Sequence, residues 1–177
     1  AWNAMSKDMS VAFGSTAVSY AKKEVPSQFL STSAQTVVWR GERAYFQILV
    51  WANNFKEQIR VCPSDLVDGN GNIISKSNVK CELVRYVLSN YPYEGRAIDC
   101  GGGNYKDGFL MPDRFESFER FDLDPRTTRP VWVSVEIPRT AAAGNYHGKL
   151  EIRSKGGIVN SLDIAIKVQN QMLPMPQ

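Results

Sequence analysis

The sequence predicts an all-β protein: an antiparallel β-sandwich with one long glycine- and aromatic-rich loop. Three observations support this. Apolar and polar residues alternate with period two in segment after segment, turn residues separate those segments, and no long stretch has a helical period. The clearest segment is Arg129–Ile152. Val131, Val133, Val135 and Ile137 alternate with Trp132, Ser134 and Glu136 until Pro138 removes a backbone donor and ends the strand. Gly144-Asn145 supplies turn chemistry, after which Tyr146, Gly148, Leu150 and Ile152 alternate with His147, Lys149, Glu151 and Arg153. The two strands are expected to pair antiparallel, or else to face each other across two sheets.

Taken in order, Thr36–Trp39 is β-branched and aromatic, which suits a strand. Ala44–Trp51 is almost continuously apolar, which predicts a central strand covered on both faces. One face holds Ala44, Phe46, Ile48 and Val50, and the other Tyr45, Leu49 and Trp51 with Gln47 between them. A two-layer sandwich buries one such face, so a loop, another domain or a ligand must cover the second. Ile59 and Val61 alternate with polar neighbours up to Pro63, Asp68–Asn72 is a turn cluster, and Val79–Val87 is the next strand, with Cys81 on its apolar side. Leu162, Ile164, Ile166 and Val168 mark the last strand, joined to Leu150–Ile152 through a Gly156-Gly157 hairpin.

Two regions break the rhythm. Asn90–Met111 is glycine-rich and carries Tyr91, Tyr93, Tyr105 and Phe109. Loops beyond about 12–15 residues are uncommon in compact domains, so it is the first place to look for function, and it is also the expected cover for the second face of Ala44–Trp51. In Pro112–Pro125, Phe115, Phe118 and Phe121 are spaced by three, as in a short helical turn or an aromatic-anchored loop. The expected division is one β-sandwich domain over residues 1–170, with residues 171–177 starting a linker.

Composition excludes several classes. With 43% hydrophobic and 22% charged residues in 177, the chain is ordinary for a globular domain. A net charge of +3 without a basic run gives no reason to expect nucleic acid, and no apolar run approaches a membrane span. Three cysteines without CxxC spacing and a single histidine, His147, argue against a metal site, and no cofactor motif is present. Asp68 fails as a calcium-loop opening, because the required glycine and glutamate positions hold Ile73 and Val79. Gly101–Gly103 lacks the spacing of a phosphate-binding loop. Asp113, Glu116, Glu119, Asp122 and Asp124 alternate with Arg114, Arg120 and Arg126, which suits a solvated ion-paired surface rather than a catalytic pair. No catalytic residues are assigned.

Several motifs, in order along the chain, resemble the N-terminal domain of glycoside hydrolase family 123. They are Ala12–Thr16, Tyr20–Pro26, Val38–Arg43 with Phe46-Gln47, Ser64–Leu66, Arg85–Val87, Cys100-Gly101, Pro112-Asp113, Arg129–Val133, Gly144–Gly148 and Leu173–Pro176. The resemblance implies a β-N-acetylgalactosaminidase-like parent that uses the substrate's acetamido group as nucleophile beside an adjacent Asp-Glu pair in a catalytic barrel. No Asp-Glu dipeptide occurs here, so the expected role is a non-catalytic accessory domain that docks on a barrel absent from this sequence. The alternative is a carbohydrate-binding module. The residues that would dock or bind sugar are Tyr45, Trp51, Tyr91, Tyr93, Tyr105 and Phe109. Sugar-binding aromatics should be exposed, coplanar and close to polar groups, whereas docking residues should form a contiguous apolar patch. The resemblance also implies a Bacteroides-like source and a periplasmic, cell-surface or extracellular location.

Overall fold

The computed structural model describes residues 1–89 and 109–174. The strands are β1 (Met9–Gly14), β2 (Ser33–Arg40), β3 (Arg43–Ala52), β4 (Lys56–Pro63), β5 (Leu66–Val67), β6 (Ile73–Ile74), β7 (Val79–Ser89), β8 (Phe109–Ser117), β9 (Phe121–Leu123), β10 (Thr127–Glu136), β11 (Gly144–Ser154) and β12 (Gly157–Met172). Helical structure among the described residues is limited to the short 3-10 turns Trp2–Ala4 and Lys76–Asn78.

The strands form two sheets, one ordered β1-β3-β10-β7-β8 and the other β2-β12-β11-β4-β9, with β5 and β6 added beside β11. Alternation fills the space between them. Val131, Val133, Ile48 and Phe46 point inward from the first sheet, and Leu150, Ile152, Leu162, Ile164 and Ile166 from the second, none more than 5% exposed. Cys81 packs against this core from β7, and burial pushes its thiol up to about 12. Among the described residues, Cys62 and Cys81 form no disulfide.

The structure decides one open alternative and changes two expectations. Of the two arrangements open for β10 and β11, the structure has the second: β10 lies between β3 and β7, and β11 between β12 and β4, in the opposite sheet. Each strand buries its apolar face in the shared core, and Pro138–Ala143 crosses between the layers. Second, Phe109–Ser117 is an edge strand, with one register shift beside Asp113, rather than a helical turn or a loop. Pro112 is tolerated there because an edge strand needs donors on one side only. Third, the pairing is not antiparallel throughout, since β2 runs parallel to β12 from Ser33 opposite Asp163 to Val38 opposite Val168.

The Asp68–Asn72 turn forms as its composition predicts. Asp68 Oδ1 accepts from the backbone N–H groups of Asn70 and Asn72, and Oδ2 from the Asn72 amide at 2.8 Å. These bonds, the Asn72 amide foremost, hold the Asp68 carboxyl below its ordinary value. Ionised Asp68 therefore contributes stability above the ordinary carboxylate range, and that stability is lost as pH falls through the lowered value. Asp68→Asn is expected to flatten the dependence of stability on pH in the acid range. Urea titrations of both proteins at neutral and acid pH check this, and equal slopes would count against the assignment.

Candidate functional site

The outer face of the five-stranded sheet is where apolar side chains meet solvent, and its two halves differ. On one half Leu49 and Trp51 are 0% and 7% exposed, and the segment after β1 covers them; of Asn90–Met111, the cover expected from sequence, residues 90–108 lie outside the described residues. Tyr20 packs on both, joined by Ala12, Val18 and Val25. Gly14 allows this passage: a Cβ there would lie 2.8 Å from both Leu49 Cδ1 and the Tyr20 ring. Tyr20 Oη accepts from the Ser15 N–H at 2.9 Å and donates to the Gln28 carbonyl at 3.1 Å, which closes the segment into a loop around its own ring. Tyr86 Oη donates to the Tyr20 carbonyl and Thr128 Oγ1 to the Glu24 carbonyl, each at 2.7 Å, which fastens the loop to β7 and β10. Gln47, buried among apolar neighbours, donates to the carbonyls of Ser15 and Val18 at 2.7 and 3.2 Å. A polar residue on a covered strand thus serves to hold the cover in place.

Among the described residues the other half is open. Tyr45 on β3, Trp132 on β10 and Phe115 on β8 form a row with centroid separations of 5.9 and 5.4 Å and interplanar angles of 37° and 35°. The rings are therefore contiguous but not coplanar. Each step tilts in the manner of a twisted sheet, where neighbouring strands rotate by roughly 20–25°.

The row's two ends lead to different surroundings. Beyond Tyr45 lies a groove of about 750 Å³ at the corner where β2 turns into β3, lined by Val37, Tyr45 and Leu173 with Arg43 and Glu136 among its polar groups. Val37, Tyr45 and Leu173 are 55%, 49% and 38% exposed. Leu173 is fixed there: its N–H donates to the Arg40 carbonyl at 2.9 Å, and Arg139 Nη1 donates to its carbonyl at 2.6 Å. At the Phe115 end a smaller groove of about 180 Å³ runs between Trp132, Phe115 and Val84 on the sheet and Thr16–Ser19 on the cover loop, with Asp113 at its side.

Of the site residues expected from sequence, Tyr45 lies on the open row and Trp51 beneath the cover. Phe109 opens β8. Tyr91, Tyr93 and Tyr105 lie outside the described residues. Trp132 and Phe115 were missed as candidates, although Trp132 was legible as the large aromatic on the outward parity of a strand whose inward positions include Val131, Val133 and Val135.

Three of the five carboxylates that could have formed a glycosidase pair, Glu116, Glu119 and Asp122, are engaged elsewhere. Glu116 is held by Arg85 through both Nε and Nη2, and this pairing lowers the Glu116 carboxyl pKa, which keeps it ionised and unsuited to protonating a leaving group. Glu119 lies 3.7 Å from Arg60, and Asp122 accepts from the Gln58 N–H. Among the described residues no cluster of His, Cys, Asp and Glu is arranged to hold a metal ion. His147 is exposed on β11.

A search of curated protein sequences gives no match. Among solved structures, the chain resembles a family 123 glycoside hydrolase from Clostridium perfringens studied for glycolipid glycan hydrolysis, with a TM-score of 0.80 and 20% identity. The match covers 95% of this chain and 28% of that one, so the chain spans little more than a quarter of the enzyme's length. At that identity the likeness establishes the fold alone. The N-terminal domain of PorA aligns over 90% of this chain and 98% of its own, but at 6% identity and a TM-score of 0.39 the likeness carries no argument. Residues 13–154 match the family model for the glycoside hydrolase 123 N-terminal domain. With most of its length matched, from the glycine-hinged cover loop through β11, the chain belongs to the glycoside hydrolase 123 N-terminal domain family.

Proposed function

We propose that this chain is a non-catalytic scaffold domain of a larger glycoside hydrolase, and that it docks on the catalytic barrel through the groove beside Leu173. The larger enzyme removes β-linked N-acetylgalactosamine and works in the periplasm or at the cell surface of a Bacteroides-like bacterium; these details rest on the sequence resemblance. The observation that carries the docking is the groove itself, with Val37, Tyr45 and Leu173 as apolar centre and the Arg43–Glu136 ion pair, 3.5 Å apart and well exposed, as polar rim. An apolar centre with a polar rim is the anatomy of a protein interface. Leu173 is pinned inside that groove, so a barrel following it in the chain would start already in contact.

Two measurements test this reading. The 177-residue chain should not hydrolyse an aryl β-N-acetylgalactosaminide above a buffer blank; turnover lost in Asp113→Asn or Glu116→Gln would overturn the non-catalytic role. In a chain that continues into the barrel, Tyr45→Asp should lower the unfolding midpoint while leaving that of the isolated domain nearly unchanged. Equal effects in both would mean that Tyr45 does not dock. The carbohydrate-binding reading is favoured by a different observation, the polar groups gathered at the Phe115 end of the row.

A further inference from the structure

We infer that the small groove between Trp132, Phe115 and Asp113 is a binding site for one pyranose ring of a neutral glycan. The inference does not depend on docking, because it uses the opposite end of the aromatic row.

The first argument is how the groove is built. Arg85 pairs with Arg114 and Tyr86 with Pro112, so the register skips Asp113, which is the extra residue of a β-bulge. A bulge re-aims a side chain at the cost of one ladder position. Here the extra residue lies two positions before Phe115, so both side chains share one face of β8 and both line the groove, and the bulge leaves Asp113 without a cross-strand partner. Among the described residues neither a hydrogen bond nor an ion pair engages Asp113, whereas Glu116 nearby is gripped by Arg85.

The opposite wall is equally fixed. Thr16 and Ser19 line the groove from the cover loop, and both are exposed. Their backbone is held by the two Gln47 hydrogen bonds to Ser15 and Val18 and by the Tyr20 hydroxyl. The groove therefore does not have to be ordered when a ligand arrives, which removes one of the main costs of weak binding.

The lining selects the ligand's chemistry. Trp132, half-buried, is braced by Tyr45 on one side and the exposed Phe115 on the other, and this aromatic surface can take the C–H face of a pyranose. A carboxylate accepts from two neighbouring hydroxyls, and the Thr16 and Ser19 hydroxyls both donate and accept. That pairing of an aromatic floor with acceptor-rich walls suits a sugar better than an apolar molecule. The Asp113 charge disfavours uronic or sulfated sugars, and a groove of about 180 Å³ has room for a single ring rather than a long chain.

The test is a titration of the 177-residue chain with lactose, followed by tryptophan fluorescence and by the indole N–H resonance of Trp132 in a nitrogen-15 spectrum. Sorbitol, which has hydroxyls but no ring face, and arginine methyl ester, a cation able to stack on Trp132 and pair with Asp113, serve as controls. Saturation in the millimolar range by lactose alone is expected. Trp132→Ala should weaken it by about tenfold or more and Asp113→Asn by about threefold to tenfold. Asp113 is exposed and Trp132 lies half-buried on the outer face, outside the core between the sheets, so circular dichroism should show folded variants. A flat lactose titration, saturation unaffected by both variants, or equal binding of arginine methyl ester would each overturn the inference. None of these outcomes bears on whether Tyr45 docks on a barrel.

Discussion

Tyr20→Ala is expected to cost about 3–5 kcal/mol of stability, as removal of a large buried aromatic generally does. The ring is 5% exposed and sits on Leu49 and Trp51, and its hydroxyl holds the loop that covers them. Removing it takes away packing and also frees the segment that keeps water from the back of the central strand. For a chain of this size the unfolding midpoint should fall on the order of 10 °C. Tyr20→Phe separates the two contributions, since it keeps the ring and loses only the hydroxyl's bonds, at about 0.5–1.5 kcal/mol. Denaturant melts of the three proteins check this. If Tyr20→Ala were no worse than Tyr20→Phe, the loop would owe its place to Gln47 and Thr128 instead, and the ring would be incidental.

Ile164→Ala should be of similar size, about 2–5 kcal/mol, for a different reason. Ile164 is 2% exposed at the centre of β12, between β11 and β2, and belongs to the same core cluster as the valines of β10. The sheets on either side are hydrogen-bonded ladders that cannot collapse far into the space left behind, so most of the cavity cost remains. Val135→Ala, on the facing sheet, should cost on the order of 1–4 kcal/mol by the same argument. Lys167, three residues along the same strand and exposed, gives the control: Lys167→Ala should stay within about 0.5 kcal/mol. Chemical unfolding of the set reads both faces of β12 at once, and a costly Lys167→Ala beside a tolerated Ile164→Ala would invert the facing assignment.

The inward faces of β3, β10, β11 and β12 were legible in the sequence because strand periodicity is local. Each side chain's facing follows from its parity along its own strand, and burial then selects the apolar set. The Asp68 turn and the Gly156-Gly157 hairpin were legible for the same reason, since their chemistry acts within a few residues. Membership of the family was legible in motifs such as Phe13-Gly-Ser15 and Gly144–Gly148. Those motifs mark close approaches: a Cβ at Gly148 would meet Leu66 at 2.9 Å, and one at Gly144 would meet Asp68 at 2.7 Å.

Only the tertiary structure decided which strands are neighbours and what covers the outer face. β10 and β11 are adjacent in sequence and individually unambiguous, yet they lie in different sheets, because strand parity says which side is buried and nothing about the partner. The same limit governed the second face of Ala44–Trp51. Its apolar pattern showed that it had to be covered, but the choice of Tyr20's loop depended on Gly14, Gln47, Tyr86 and Thr128, which converge from four strands. Trp132, Phe115 and Asp113 likewise come from β10 and β8, with β7 between them and a bulge that no sequence period reveals. The sequence determined which faces are apolar, since that depends on neighbours along the chain. The structure decided which of them stay open, since that depends on residues far apart in sequence meeting in space.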